Sequence, residues 1–129
     1  MAIIDVFREW LGMRKPMRAP LDKKVRFFLK YREISIGTLS VEDGLWKFEY
    51  SDQFKQSKVY RPIVEFPDVD KIYESKELWQ FFASRIPSPE QPDVEEILKR
   101  EHISEDDSVS LLKRFGMRTV SNPYQLEAS

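Results

Sequence analysis

The sequence predicts an α+β domain: a small antiparallel β-meander followed by three helices, with an amphipathic helix at the N-terminus. Apolar and polar residues alternate between residues 25 and 50, which is typical of half-buried strands. Between residues 75 and 116 the apolar residues recur at helical spacing instead. Strands first and helices after indicate an α+β fold rather than alternating β and α units. The pattern is also compatible with closure of the meander into a small barrel.

Three strands joined by short turns are expected first, at residues 25–31, 34–40 and 45–50. Gly37, inside the second, indicates a bulge or a close backbone approach, and Asp43-Gly44 is a hairpin-turn signal. Trp46, Phe48 and Tyr50 share one face of the third strand. A fourth strand is expected around residues 60–66, at an edge or a strand start because it contains Pro62.

The predicted helices follow Pro67. Ser75 is a favourable N-cap for a helix over residues 76–85. The spacing from Asp93 to Glu96 resembles a capping box and predicts a second helix that ends near Glu101. A third is expected to begin within residues 104–107 and to end at Phe115-Gly116. The tail over residues 117–129 is expected to be irregular.

The first 24 residues are expected to stand apart from the domain over residues 25–116. Residues 3–12 place Ile3, Ile4, Phe7 and Leu11 at helical spacing, which predicts a short amphipathic helix. Residues 13–24 contain two prolines and five basic residues and are typical of a linker. The helix could pack on its own domain, dock on a partner or lie on a membrane surface, and the sequence leaves these alternatives open.

Composition narrows the class of protein. The 129 residues are 41% hydrophobic and 33% charged, which suits one globular domain. The net charge of -1 gives no field that would attract nucleic acid, so no direct nucleic-acid binding is expected. The chain contains no cysteine, which excludes disulfides and thiolate chemistry. No run of apolar residues is long enough to cross a membrane, and a cytoplasmic location is expected.

The residues that could carry chemistry have simpler explanations. His102 is the only histidine and is expected at a helix end. Asp68 and Asp70 have the spacing of a calcium loop, but Lys71 and Tyr73 follow where ligands should be. The acidic run over residues 105–107 opens a predicted helix, where the helix dipole favours negative charge. The four glycines are not clustered, so no phosphate-binding loop is expected. We therefore expect no catalytic residues, no metal and no cofactor.

The most unusual feature is an aromatic helix turn. On a helix, the large apolar side chains of residues 78–86 spread over an arc of about 160° around the helix axis. A helix needs an apolar stripe of only somewhat more than about 100° to cover its core. Leu78 and Phe82 occupy the middle of this arc and are expected in the core. Trp79 and Phe81 lie at or near its edges, where an exposed aromatic ring is typical of a binding hot spot.

The order of these motifs resembles the N-terminal domain of HipA-like serine/threonine kinases. The resemblance covers about residues 25–116 and rests on six segments, in the order of that family and with similar spacing: Tyr31-Arg-Glu-Ile-Ser-Ile-Gly37-Thr-Leu, Gly44-Leu-Trp-Lys-Phe48-Glu-Tyr50, Tyr60-Arg-Pro62-Ile-Val, Glu77-Leu-Trp79-Gln-Phe81-Phe82, Ile86-Pro87-Ser88, and Asp106-Asp107-Ser-Val-Ser-Leu111-Leu112-Lys-Arg-Phe-Gly116. In HipA proteins this domain continues into a kinase core. Here Met117-Arg-Thr-Val-Ser-Asn-Pro123 replaces the usual link.

A free-standing domain of this kind is similar to HipS, the small component of split toxin–antitoxin systems of the HipBST type. The resemblance implies a non-catalytic antitoxin that docks on a HipT/HipA-like kinase and inhibits it, with a HipB-like helix-turn-helix protein as a further candidate partner. The residues expected to contact the kinase are Trp79, Phe81, Phe82, Leu78 and Glu77. Two alternatives stay open: a subunit that completes a split kinase without inhibiting it, and a membrane-associated adaptor that uses residues 3–12.

Overall fold

The computed structural model describes residues 17–129 and shows an α+β domain, as predicted. Five antiparallel strands form one sheet in the order β4-β3-β2-β1-β5. The sheet is open and does not close into a barrel. The helix expected over residues 3–12 lies outside the described residues. The strands are β1 (Val25–Tyr31), β2 (Ile34–Glu42), β3 (Leu45–Tyr50), β4 (Tyr73–Ser75) and β5 (Gln125–Ala128).

Helices follow the meander, in agreement with the predicted order, although a short one appears earlier than expected. Within residues 17–129 the helices are α1 (Asp52–Gln56), α2 (Gln80–Ala83), α3 (Pro92–Glu101) and α4 (Ser108–Phe115). The extra helix, α1, follows β3 directly because the Ser51 side chain caps it by accepting a hydrogen bond from Phe54 N–H.

The meander confirms the turn and bulge expectations. Asp43 and Gly44 both have positive φ, at 53° and 76°, as a two-residue hairpin turn of this type requires. The register of β1 on β2 shifts at Leu29 and Lys30, opposite Gly37 and Ser35. A Cβ at Gly37 would stand 2.5 Å from the Glu49 carbonyl oxygen, so the glycine permits a close approach of β2 to β3.

One hydrophobic core joins the sheet to the helices. Trp46, Phe48 and Tyr50 are buried on one face of β3, as their alternation predicts. Phe82 of α2 is fully buried in the same core. The other helices contribute further apolar side chains to it: Val94, Leu98, Val109, Leu111 and Leu112.

The fourth strand predicted at residues 60–66 is wrong, because this segment is irregular and the fourth strand is β4. The Tyr50 hydroxyl holds the segment in place: it donates to the Phe66 carbonyl at 2.6 Å and accepts from Ile63 N–H at 2.9 Å. Burial raises the pKa of Tyr50 to about 12. A side-chain hydroxyl thus supplies the partners that a sheet ladder would otherwise give.

The C-terminal tail is also more regular than predicted. Its residues 125–128 form β5, which pairs with β1 along the edge of the sheet. Leu126 is buried in the core and donates its N–H to the Met117 carbonyl at 2.9 Å. The expectation of an irregular tail is therefore wrong for these residues. Leu126 is the one large apolar residue among the four, which is too weak a local signal to predict a strand.

Arg85 holds this tail against α2. Its side chain is buried, and its guanidinium donates to the carbonyl oxygens of Gly116 and Tyr124, both at 3.0 Å, and to Asn122 Oδ1 at 3.1 Å. Burial lowers the pKa of Arg85 to about 10, so the group remains a cation at neutral pH. Its Nε is buried without a hydrogen-bond partner among the described residues.

The helix starts differ from the predicted caps. The helix expected at residues 76–85 is only α2, and its N-cap is Trp79 rather than Ser75. Gln91 precedes α3, with Pro92 in its first turn, so Asp93 lies inside the helix and does not cap it. Asp107 caps α4, in line with the expectation that the acidic run serves a helix start.

Residues 17–24, which the sequence suggested as linker, are hydrogen bonded to the domain. Met17 and Ala19 pair with the chain around Glu77, and Leu78 N–H donates to the Met17 carbonyl at 2.7 Å. The Trp46 indole N–H donates to the same carbonyl at 3.2 Å. Lys23 lies 3.3 Å from the Asp107 carboxylate. This segment therefore extends the structured domain toward the N-terminus.

The Asp107 cap provides a pH-dependent test of α4. Partial burial raises the pKa of Asp107, but hydrogen bonds from Ser110 and Lys23 outweigh it, so the pKa is below its ordinary value. The charged carboxylate thus stabilises the fold. This contribution is lost as the pH falls through the pKa of Asp107 in the unfolded chain and then through its lower pKa in the folded protein. We expect Asp107→Ala to lower the free energy of unfolding by about 1 kcal/mol at pH 7.

Urea unfolding at several pH values measures this effect. The difference between wild type and Asp107→Ala should shrink as pH falls below about 4, where the carboxylate becomes protonated. Asp106→Ala is the matched control, because Asp106 is exposed and its side chain caps nothing. An equal loss in both variants would contradict the capping role.

Candidate partner-binding surface

The five predicted contact residues lie where β4 leads into α2, and they divide by burial as expected. Leu78 is 7% exposed and Phe82 is fully buried, so both belong to the core. Trp79 and Phe81 are half-buried and pack against that core from outside. Glu77 is exposed. The structure therefore offers two aromatic side chains and one carboxylate at the surface.

The shortness of α2 fixes how these side chains point. Trp79 has an extended backbone and precedes the helix, and its carbonyl accepts from Phe82 N–H at 3.0 Å and Ala83 N–H at 2.9 Å. Its side chain provides no cap. The backbone of Phe81 lies near the Glu65 carboxylate and favours its charged form. Partial burial nevertheless raises the pKa of Glu65 above its ordinary value.

Phe66 is the buried ring on which the surface aromatics rest. Its ring centroid lies 5.1 Å from that of Trp79 and 6.5 Å from that of Phe81, both in edge-on geometry. Phe48 stacks on it at 4.5 Å from inside the core. Phe66 is fully buried in the close-packed core, so it provides a fixed support against which both surface aromatics pack.

The aromatic surface continues from Phe81 to the C-terminal segment. The rings of Phe81 and Tyr124 are 5.9 Å apart, and Tyr124 is 5.9 Å from Tyr31. Both tyrosines are half-buried. We call Trp79, Phe81 and Tyr124 the aromatic rim. Arg85 lies beneath it, with its guanidinium 5.8 Å from the Phe81 ring centroid.

Trp79 also has a polar group to offer. Among residues 17–129 its indole N–H has no hydrogen-bond acceptor, whereas that of Trp46 is bonded to Met17. A tryptophan that presents both apolar surface and a donor is typical of interface residues. Of the aromatic rim, Trp79 is therefore best equipped to form a specific contact.

Sequence reasoning missed Tyr124 of this surface and two buried residues that support it, Phe66 and Arg85. The apolar pattern places Phe66 in a predicted strand, although Pro67, the next residue, indicates a loop. Tyr124 was placed in an irregular tail, and nothing local in the sequence brings it to Phe81. Arg85 was taken as the end of a helix, because a buried arginine without an acidic partner has no sequence signature.

The residues considered for chemistry are not gathered at a site in the described part of the chain. Within residues 17–129 no group of three or more His, Asp or Glu could hold a metal ion. His102 is exposed and ends α3 in a left-handed conformation. The Asp68 carboxylate accepts from Asp70 N–H at 3.0 Å, which is a local turn. In the same range no helix is long and apolar enough to cross a bilayer.

An open five-stranded sheet with an aromatic rim beside α2 defines an α+β module of the kind that the sequence motifs indicated. The model of the HipA N-terminal domain family matches residues 29–121, well over half of the chain. The chain therefore belongs to the HipA N-terminal domain family, which is a non-catalytic part of HipA proteins. No curated protein matches the chain significantly.

Proposed function

We propose that this chain is a non-catalytic antitoxin: it docks on a separate HipT/HipA-like serine/threonine kinase through Trp79 and Phe81 and inhibits it. The observation that carries the proposal is the pair of half-buried aromatic rings held on the buried ring of Phe66. Family membership supplies the class of partner. In HipA proteins the related domain adjoins a kinase core, so we expect this chain to have a docking face for such a core.

The physical case for Trp79 as the central contact has three parts. Its ring already packs against Phe66, which lowers the side-chain entropy that is lost when a partner covers it. Its indole N–H can donate to a group of the kinase. Tryptophan is also the residue type most enriched at binding hot spots. Inhibition follows if the bound rim lies at the mouth of the kinase cleft and excludes nucleotide or substrate.

Glu77 gives this surface a charged border. Its carboxylate is exposed and forms no ion pair with residues 17–129. A charge at the rim of an interface affects mainly the association rate and the choice of partner. We therefore propose that Glu77 affects the association rate and the choice of partner, and that Trp79 provides most of the affinity.

Co-expression with a HipT-like kinase that lacks this domain tests the proposal. We expect the two chains to co-purify as a stable complex and kinase toxicity to be suppressed. A complex in which toxicity persists or rises would instead make the chain a subunit that completes the kinase fold. Absence of any complex would overturn both functions, and flotation with liposomes that requires residues 3–12 would then favour the membrane adaptor.

A further inference from the structure

We propose that the partner-binding surface extends beyond the aromatic rim to a cationic cluster of tyrosines, which receives an acidic segment of the protein partner. The extension rests on the proposed function in one respect: the acidic segment belongs to the protein that docks on the aromatic rim. The chemistry of the cluster can be measured without any kinase. We call the following residues the tyrosine–arginine patch: Tyr31, Tyr60, Tyr124, Arg32 and Arg61.

The rings of the patch continue the aromatic rim. The ring centroid of Tyr31 lies 5.9 Å from that of Tyr124 and 5.7 Å from that of Tyr60, both in edge-on geometry. All three rings are half-buried. A stable interface covers about 800 Å² on each partner. That area exceeds what the three side chains of the rim could supply at about 150–250 Å² each. A partner that covers the rim therefore needs adjoining surface, and the patch provides it.

The hydroxyl groups of the patch are free to bind. The hydroxyls of Tyr50 and Tyr73 form hydrogen bonds within the fold, whereas those of the three patch tyrosines form none with residues 17–129. The one buried polar side-chain atom without a partner in this range belongs to an arginine, so the three hydroxyls reach the surface. Burial, together with the nearby Tyr31 and Tyr60, raises the pKa of Tyr124, and its hydroxyl remains a proton donor at neutral pH.

Two arginines give the patch its positive charge. The Arg32 guanidinium lies 5.3 Å from the ring centroid of Tyr31, and Arg61 directly follows Tyr60. Both arginines are exposed and neither forms an ion pair with residues 17–129, Arg32 not even with its neighbour Glu33. A guanidinium binds a carboxylate through two parallel hydrogen bonds. Guanidinium and hydroxyl donors together thus favour carboxylates as the ligand.

The backbone at Arg32 separates its role in binding from its role in the fold. Arg32 has a φ of 56° in the turn between β1 and β2, a conformation that favours glycine. Replacing it with glycine relieves the contact between the Cβ and the backbone that disfavours this conformation. We therefore expect Arg32→Gly to remove the charged side chain without destabilising the domain.

The distribution of charge favours a protein over a nucleic acid as the source of the carboxylates or other anions. Glu77 is exposed at the Trp79 end of the surface, whereas Arg32 and Arg61 lie at the Tyr60 end. Nucleic acid is negative along its whole length, so it would meet repulsion at Glu77. A protein that carries a basic group opposite Glu77 and an acidic segment opposite the patch matches both ends.

Titration of the full-length chain with hexaglutamate, followed by NMR, tests the patch alone. We expect the amide signals of Tyr31, Arg32 and Tyr60 to shift, and the shifts to shrink as salt is added, because exposed charges are screened. Hexaglutamine is the neutral control peptide. Absence of shifts at millimolar hexaglutamate, or equal shifts with hexaglutamine, would overturn the proposal. Tighter binding of hexathymidylate would overturn it in favour of nucleic acid.

Titration of the kinase tests the extension of the interface. Arg32→Gly combined with Arg61→Ser should weaken kinase binding roughly threefold to tenfold and remove most of its dependence on salt. Arg26→Ser is the matched control, because Arg26 is also an exposed arginine near an aromatic ring, with its guanidinium 5.9 Å from the Phe28 centroid at the other end of β1. This variant should bind like wild type.

The two titrations separate this proposal from the proposed function. A kinase that binds the double variant with unchanged affinity and salt dependence would overturn the extension and leave the contact at Trp79 intact. Absence of any complex with wild type would overturn the proposed function. The hexaglutamate titration would then still decide whether Arg32 and Arg61 form an acceptor site for carboxylates.

Discussion

Replacing Arg85 with alanine is expected to lower the free energy of unfolding by about 3 kcal/mol and to loosen the C-terminal strand. The guanidinium satisfies acceptors of Gly116, Asn122 and Tyr124 at once. Its removal leaves these acceptors short of a donor and opens a cavity beneath Phe81. The substitution also removes the cost of burying a cation, because burial disfavours the charged form of Arg85. This gain offsets part of the loss.

Urea unfolding and amide hydrogen exchange measure the two parts of this prediction. The amides to follow are those of Leu126 and Ser129, which donate to Met117 and Arg26. Both should exchange faster in Arg85→Ala. Arg100→Ala is the control, because Arg100 is exposed and its ion pair with Glu96 is 4.0 Å long; we expect a loss below about 0.5 kcal/mol. Unchanged protection of Leu126 in Arg85→Ala would refute the role of Arg85 in holding the strand.

Replacing Trp79 with alanine is expected to weaken kinase binding by at least thirtyfold, which corresponds to about 2 kcal/mol, and to abolish neutralisation in cells. The loss follows from removing both the apolar ring and its unpaired indole donor from the centre of the proposed contact. The same change should cost the fold only about 1–2 kcal/mol, because Trp79 is half-buried and Phe66 remains in the core.

Binding is best measured by titrating the purified kinase with each variant, alongside urea unfolding of the same samples. Phe28→Ala is the matched control: it removes a half-buried aromatic ring from β1, where its neighbours Phe27 and Leu29 face the core and Phe28 does not. This variant should bind and neutralise like wild type. If Trp79→Ala neutralised the kinase fully, the assignment of Trp79 as the central contact would be wrong.

The parts of the fold that follow from local pattern were predictable. β1 and β3 begin and end where the alternation places them, because one face of each is buried and the period of two leaves no other register. The aromatic turn divides into core and surface residues as the helical angles predicted, but Leu78 and Trp79 precede α2 and are not helical. The angles therefore do not explain the burial of Leu78, although the prediction of its burial is correct.

The parts that failed depend on contacts distant in sequence. Residues 60–66 read as a strand because apolar residues are frequent there, but the Tyr50 hydroxyl binds their backbone instead. β5 exists because β1 offers an unpaired edge and Arg85 holds the connecting segment. Neither partner can be recognised from the residues near it in the sequence.

The position of β5 has a consequence for where this chain can be shortened. The family match ends at residue 121, four residues before β5 begins. A chain ended there would keep every family motif and would leave the backbone donors and acceptors on the outer side of β1 without a partner strand. An unprotected strand edge is a template for intermolecular β-pairing. Residues 125–128 thus replace the seven-residue edge of β1 with the four-residue edge of β5, and a boundary drawn from family motifs alone would expose the longer edge.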